Sequence, residues 1–307
     1  MKMAGDQTLA TPNPTGPSAG RSPRKRLGRL TNPETRIDLI IGLILALASF
    51  VVFYPFLWLI FSSFKTGADI VRIPVTLLPR EWTLTAYQMV LDPNRANVGR
   101  AYVNSMVVTG ATVLTVLFTS SLGGFVFARL DFPGRKYLFY FILSTTMVPF
   151  LTLLIPLYIE MRVFHILNTL WAVWLPSAFS SFGIFLCRQF IFGIPSELYE
   201  SARIDGAGDT TIYFRIIIPL TKPVMAVLTI FTFLGSFNAY LWPLVVLNDE
   251  QKLTLPLILS RMANRFGGTD YQGLMAGSVL VSIPPLIVFL VFQRYILRGI
   301  ALTGIKA

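Results

Sequence analysis

Charge is scarce in this chain. Asp, Glu, Lys and Arg make up 13% of its 307 residues, about half the share of an average soluble domain. With 54% hydrophobic residues and a mean hydropathy of +0.64, the composition argues against a water-solvated globule and for lipid as solvent. Cysteine is almost missing. Cys187 is the only one, so no disulfide can form within the chain, and its place at the end of an apolar run suits packing better than redox chemistry. Histidine also occurs once. His165 has no second histidine and no carboxylates at ligand spacing, so no metal centre is expected. No Gly-Lys dipeptide occurs anywhere. The G-x-x-x-x-G-K-[ST] loop that cradles nucleotide phosphates is therefore absent, and any energy from ATP must come through another polypeptide. Acidic residues are outnumbered 26 to 15 by Lys and Arg, leaving a net charge of +11. A basic face beside anionic lipid explains that excess without nucleic acid as a partner.

Long apolar runs are what the chain has in their place. Six charge-free stretches, 39–64, 101–128, 137–159, 166–187, 223–248 and 271–293, each contain at least 22 residues, and about 20 suffice for a helix to cross a bilayer. Backbone groups in lipid must bond within their own segment, so runs of this length predict helices rather than barrel strands. The expected fold is all-α, a polytopic membrane protein with six transmembrane helices. An even number puts both termini on one side. That side carries 17 of the 26 Lys and Arg residues, against 9 on the other, so the N- and C-termini are expected to be cytoplasmic.

Residues 1–36 are rich in Pro, Gly, Ser and basic groups and read as a disordered cytoplasmic tail ahead of a membrane domain over 37–307. The first span is too long for a signal-peptide core and should remain as an anchor, with Pro55 kinking it. The third contains Pro149 and Pro156. They fit either a broken helix lining a cavity or a plain kink buried in protein. Residues 65–100 should hold a short helical piece outside, and 248–270 form the second sizeable outside loop.

Between the fourth and fifth spans lies a charged, glycine-punctuated segment, "IPSELYESARIDGAGDTTIYFRIIIPL". Pro195 and Ser196 supply a helix start, with Glu197 and Glu200 near its positive end. Three-and-four spacing puts Leu198, Tyr199 and Ala202 on one face. Asp205 and Gly206 should break the helix, Asp209 should cap a second one over 210–218, and Pro219 should end it. The product is a surface hairpin. It is either a docking element for a groove on a partner or an amphipathic loop resting on headgroups. In the fifth span, Phe237, Asn238, Tyr240 and Trp242 bring an amide beside aromatic rings, as a sugar site needs, although interhelical bonding and an interfacial aromatic belt explain them too.

The order Glu200-Ser201-Ala202, three residues, Gly206, nine residues, Ile216-Ile217-Ile218-Pro219 resembles the Glu-Ala-Ala loop of bacterial ATP-binding cassette importer permeases. Ser201 and Ile218 depart from that pattern. "ARLDFPGR", "MVPFLTLLIPLY", "FNAYLWPL" and "QRYILRG" are similar to the sugar-uptake branch, relatives of the inner maltose-permease subunit, and the likeness covers about 37–307. It implies a type I ABC importer permease fold with a coupling loop over 193–223. It also implies contact of Glu200, Ser201, Ala202, Asp205, Gly206 and Pro219 with a cytoplasmic ATPase dimer that itself binds ATP. Within that likeness, Glu200 would pair with a basic group, Ala202 would permit close approach and Gly206 would make the turn. Further implied partners are a second homologous permease or another copy of this chain, an extracytoplasmic solute-binding protein, a sugar and membrane lipid. The chain would need no cofactor of its own and would not be an enzyme. The span interiors hold none of Asp, Glu, Lys, Arg or His, which speaks against an intramembrane enzyme and an ion-coupled transporter. A permease for glycerol phosphate or an oligopeptide is the alternative within the family.

Overall fold

The computed structural model describes residues 33–92, 97–263 and 270–303. They form α1 (Pro33–Ser62), α2 (Gly67–Ile70), α3 (Thr85–Leu91), α4 (Val98–Arg129), α5 (Arg135–Ser144), α6 (Phe150–Val163), α7 (Leu170–Trp174) and α8 (Ser181–Phe192). Then come α9 (Ser196–Ile204), α10 (Asp209–Ile212), α11 (Ile218–Leu220), α12 (Lys222–Phe237), α13 (Leu241–Val246), α14 (Leu255–Ala263) and α15 (Tyr271–Thr303). No strand occurs among the described residues. The chain divides into two units, 1–56 and 57–307. In the first, the described part is the start of α1, an apolar helix with its side chains exposed over 37–56 and Pro33 at a position in the first turn where a missing N–H costs nothing. Most of the expected disordered tail lies outside the described residues, but 33–36 already belong to this helix.

The second unit is arranged along α4, whose 32 residues reach about 48 Å. Lipid gives packed helices no hydrophobic advantage, so they gain from close approach. Small residues on both sides permit it here. A Cβ built on Gly183 of α8 would stand 2.2 Å from Ser120 Oγ of α4, and one on Gly124 would stand 2.6 Å from Cys187 Cβ and 2.9 Å from the Arg188 backbone nitrogen. The two helices thus meet almost backbone to backbone. Arg129, at the end of α4, donates to the carbonyls of Ile191 (2.9 Å) and Ile194, which lie where α8 ends and its carbonyls lack helical partners.

At the other end of α4, side chains hold the 247–254 loop. Asn104 Nδ2 donates to the carbonyls of Gln251 (2.9 Å) and Leu253 (3.0 Å), and Arg100 Nε donates to Gln251 (3.1 Å). Asn168 Oδ1 accepts the N–H groups of Asn248 (3.0 Å) and Asp249 (2.9 Å).

Among the described residues, three helices are long and apolar enough to cross a membrane by themselves, over 37–62, 98–129 and 271–295. The other three expected spans are broken. The third bends by 102° between α5 and α6 and the fourth by 40° between α7 and α8, while α10–α11 meet α12 at 74° just ahead of the expected start of the fifth. For the third, the cause is local: Val148 precedes Pro149 and takes extended backbone (ψ 118°), which stops the 3-10 turn 145–147, and Pro149 then opens α6. Pro156 sits inside α6 without interrupting it, and α1 likewise runs through Pro55. The expected fifth span, 223–248, ends as one helix at Phe237 and resumes as α13. The last helix outruns its expected end at Gln293 by ten residues, reaching Thr303.

Candidate functional site

Two places carry most of the residues singled out by the sequence: a surface hairpin beside the Arg129 end of α4, and a cavity among α6, α8 and α12.

The hairpin opens with α9. Gly206 has φ +81°, a left-handed conformation that side chains resist. Its N–H donates to the Arg203 carbonyl (3.0 Å) and the Ala207 N–H to the Ala202 carbonyl (2.9 Å), the paired bonds of a Schellman stop. The turn expected at Gly206 is therefore present. Asp209 does not cap α10. Gly208 takes the cap position, and the Asp209 carboxylate reaches back to accept from Tyr199 Oη (2.8 Å) and Arg203 Nη2 (2.6 Å). With the Arg203 guanidinium 5.2 Å from the Tyr199 ring centre, the two limbs are cross-braced.

Tyr199 and Ala202 turn inward onto Phe125, Ala128, Ile191, Ile212, Tyr213 and Ile217. Leu198, expected on the same face, lies 47% exposed at its rim, because the buried arc is centred between Tyr199 and Ala202. Ala202 packs against its own chain while staying half-buried. Glu197, Glu200, Ser201 and Asp205 face outward with Ile204, an isoleucine 86% exposed. Pro219 does not end the second limb. Residues 213–217 form a π-helical turn, α11 carries Pro219, and the break follows at Thr221. A proline ring would collide with the carbonyl four residues earlier in an α-helix, and the wider turn accommodates it.

The cavity has a volume of about 680 Å³ and is open to one side. Tyr240 and Trp242 line it, with Phe150 and Leu153 of α6, Phe231, Thr232 and Ser236 of α12, and Phe179, Ser180 and Phe182 at the start of α8. Among the described residues, no charged side chain lines it. Trp242 offers only its ring, since Nε1 donates to the Ala172 carbonyl (2.9 Å). Tyr240 Oη sits 3.1 Å from Ser260 Oγ. Phe237 and Asn238 are not part of the lining. Phe237 is 1% exposed and stacks on Phe233 with ring centres 5.4 Å apart, while Asn238 is exposed and closes α12 through its backbone N–H. The aromatic and hydroxyl groups that sequence reading missed stand beside helix breaks, and Pro149 and Pro176 were the signal that could have located them.

The described residues thus join long apolar helices to a cavity that opens beside helix breaks. The chain belongs to the family of binding-protein-dependent transport system inner membrane components, which residues 120–302 match. It is 36% identical to the arabinooligosaccharides transport system permease protein AraQ of Halalkalibacterium halodurans, over 91% of this chain and 99% of that one. It is 32% identical to the sn-glycerol-3-phosphate transport system permease protein UgpE of Brucella melitensis, over 87% and 96%. Among solved structures, a bacterial ABC transporter involved in the import of the acidic polysaccharide alginate superposes with a TM-score of 0.75 at 26% identity, covering 86% of this chain and 98% of that one. The protein is accordingly a multi-pass ABC importer permease of the inner membrane, with the fold expected from the sequence.

Proposed function

We propose that this permease carries a neutral oligosaccharide and takes its power from a cytoplasmic ATPase dimer through the 193–223 hairpin. The observation that carries the substrate class is the cavity lining: flat aromatic faces beside hydroxyls, with no charge. Sugars present apolar ring faces and hydroxyls and are matched by that mixture. Glycerol phosphate, the cargo named for UgpE, would call for basic groups that the lining lacks. AraQ and the lactose permease LacG of Rhizobium radiobacter are relatives named for neutral sugars.

Coupling rests on the outward face of α9. Glu200, Ser201 and Asp205 border the exposed Ile204, a pattern suited to a cleft with a basic rim and an apolar floor. Gly206 sets the turn, and Pro219 lies on the limb leading to α12. The hairpin and the 247–254 loop pack against opposite ends of α4, so a membrane-spanning α4 puts them on opposite sides. With the basic excess inside, the hairpin and both termini are cytoplasmic, and the 247–254 loop faces a solute-binding protein. A second permease, related or identical, completes the pathway, which opens alternately to each side.

Gly206→Pro and Glu200→Lys are expected to abolish uptake and weaken co-purification of the ATPase while membrane insertion stays intact. Normal transport by both variants would overturn the coupling assignment. Competition of labelled oligosaccharide uptake by neutral oligosaccharides, and not by glycerol 3-phosphate, tests the substrate class separately.

A further inference from the structure

The stretch between the end of α1 and the start of α3 encloses a further cavity, of about 270 Å³, and four charged residues line it: Asp69, Arg72, Arg80 and Glu81. Neither the hairpin nor the aromatic cavity contributes to it. Asp69 Oδ2 accepts the Arg80 backbone N–H (3.2 Å), which ties the two ends of the 69–80 loop together, while Asp69 Oδ1 is buried without a partner. Arg72, Arg80 and Glu81 are exposed, and their side chains have no partner among the described residues. No ion pair joins any of the four side chains. Opposite charges that would neutralise one another in contact are therefore held apart around one shared space.

Such a space calls for a ligand that carries both signs. An anion alone would meet two carboxylates, and a cation alone would meet two guanidiniums. A phosphate matches the fixed fork of donors on each arginine, and an ammonium a few atoms away offsets the charges of Glu81 and Asp69. Depth points to the membrane as the source. Trp82, next to Glu81, is 63% exposed, and its ring centre lies 6.1 Å from that of Phe61 in the last turn of α1 and 5.7 Å from that of Phe64 just beyond it. An exposed tryptophan at the end of an apolar span sits at headgroup level. We propose that the cavity holds the phosphoethanolamine headgroup of a membrane phospholipid, with its phosphate toward Arg72 and Arg80 and its ammonium toward Glu81 and Asp69. A choline headgroup has the same charges but no N–H to donate, and a glycerol headgroup has no cation. This site is independent of the transported solute and of the ATPase contact.

The test uses the full chain with its partner subunits in nanodiscs of phosphatidylethanolamine, phosphatidylglycerol and phosphatidylcholine in equal parts, with retained lipid counted by native mass spectrometry. The wild-type protein is expected to keep phosphatidylethanolamine in preference to the other two. Arg80→Gln and Glu81→Gln, which remove opposite charges, are each expected to lower that retention about fivefold, the scale of one charged group near a membrane surface. Lys136→Gln, at the start of α5, is expected to leave it unchanged. Both cavity positions are exposed and the Arg80 backbone bond to Asp69 survives its variant, so folding is preserved. Undiminished retention in the two variants overturns the proposal, and so does a wild-type protein that keeps phosphatidylcholine or phosphatidylglycerol equally well. Release of the wild-type lipid by millimolar phosphoethanolamine would give the cavity to a soluble zwitterion and overturn the assignment to lipid.

Discussion

Tyr213 Oη and Ser121 Oγ lie 2.7 Å apart in a buried hydrogen bond that joins the π-helical limb of the hairpin to α4. Phe125 continues the connection, with its ring centre 5.5 Å from that of Tyr213 and 6.4 Å from that of Tyr199 on α9. A push on α9 thus meets an unbroken aromatic path to α4, along which the unit is arranged.

Tyr213→Phe should cut that path at one point while keeping the packing. Ser121 Oγ retains the Phe118 carbonyl at 3.1 Å, so the cost to stability is about 1 kcal/mol. In proteoliposomes of the assembled transporter, the expected result is less solute moved per ATP hydrolysed. An unchanged ratio would mean that force travels by another route.

The α4–α8 contact predicts opposite outcomes for two glycines of one helix. Gly124→Ala drives a methyl into Cys187 and the Arg188 backbone and should cost about 1–3 kcal/mol. Gly110→Ala meets nothing within 4 Å and should gain up to about 1 kcal/mol in helix propensity. Thermal midpoints in detergent distinguish them, and equal midpoints would contradict the packing described.

Phe237 and Tyr240 are three residues apart and should separate stability from transport. Phe237→Ala empties a core site and should cost about 3–5 kcal/mol. Tyr240 is 41% exposed on the cavity wall, so Tyr240→Ala should leave the midpoint nearly unchanged and raise the half-saturating sugar concentration about tenfold, the scale of one aromatic contact. Unaltered affinity in Tyr240→Ala would remove the cavity from the sugar's path.

Asp249 predicts a pH dependence at the 247–254 loop. Its carboxyl is held below the usual carboxylate range, chiefly by the Gln251 N–H at 2.9 Å and further by Lys252 at 3.3 Å. A depressed folded-state pKa contributes stability in full above the ordinary aspartate value of about 3.9 and loses it as pH falls through the lower folded value. Hydrogen exchange at Gln251, normalised to the free peptide, should show constant protection from neutral pH down to that range and a decline below it. Asp249→Asn should flatten the curve.

Much of this protein was legible before any coordinates. Apolar run length is a local quantity, so the three uninterrupted spans and the positions of the broken third and fourth followed from it, while the glycine at 206 announced the stop of the hairpin. The lack of a Gly-Lys pair argued against a phosphate-binding loop in this sequence, and the spacing from Glu200 to Pro219 pointed to the family. Facing was not legible, because lipid accepts an apolar side chain as readily as a protein core does, and burial then leaves no mark in the pattern. Only tertiary structure could therefore put Phe237 in the core and Tyr240 on the cavity wall, turn Ala202 inward and Ile204 outward, or swing Asp209 from its expected cap to Arg203. The 102° bend at Val148–Pro149 shows the same division: proline chemistry announces an interruption, while its angle is set by what the two halves pack against.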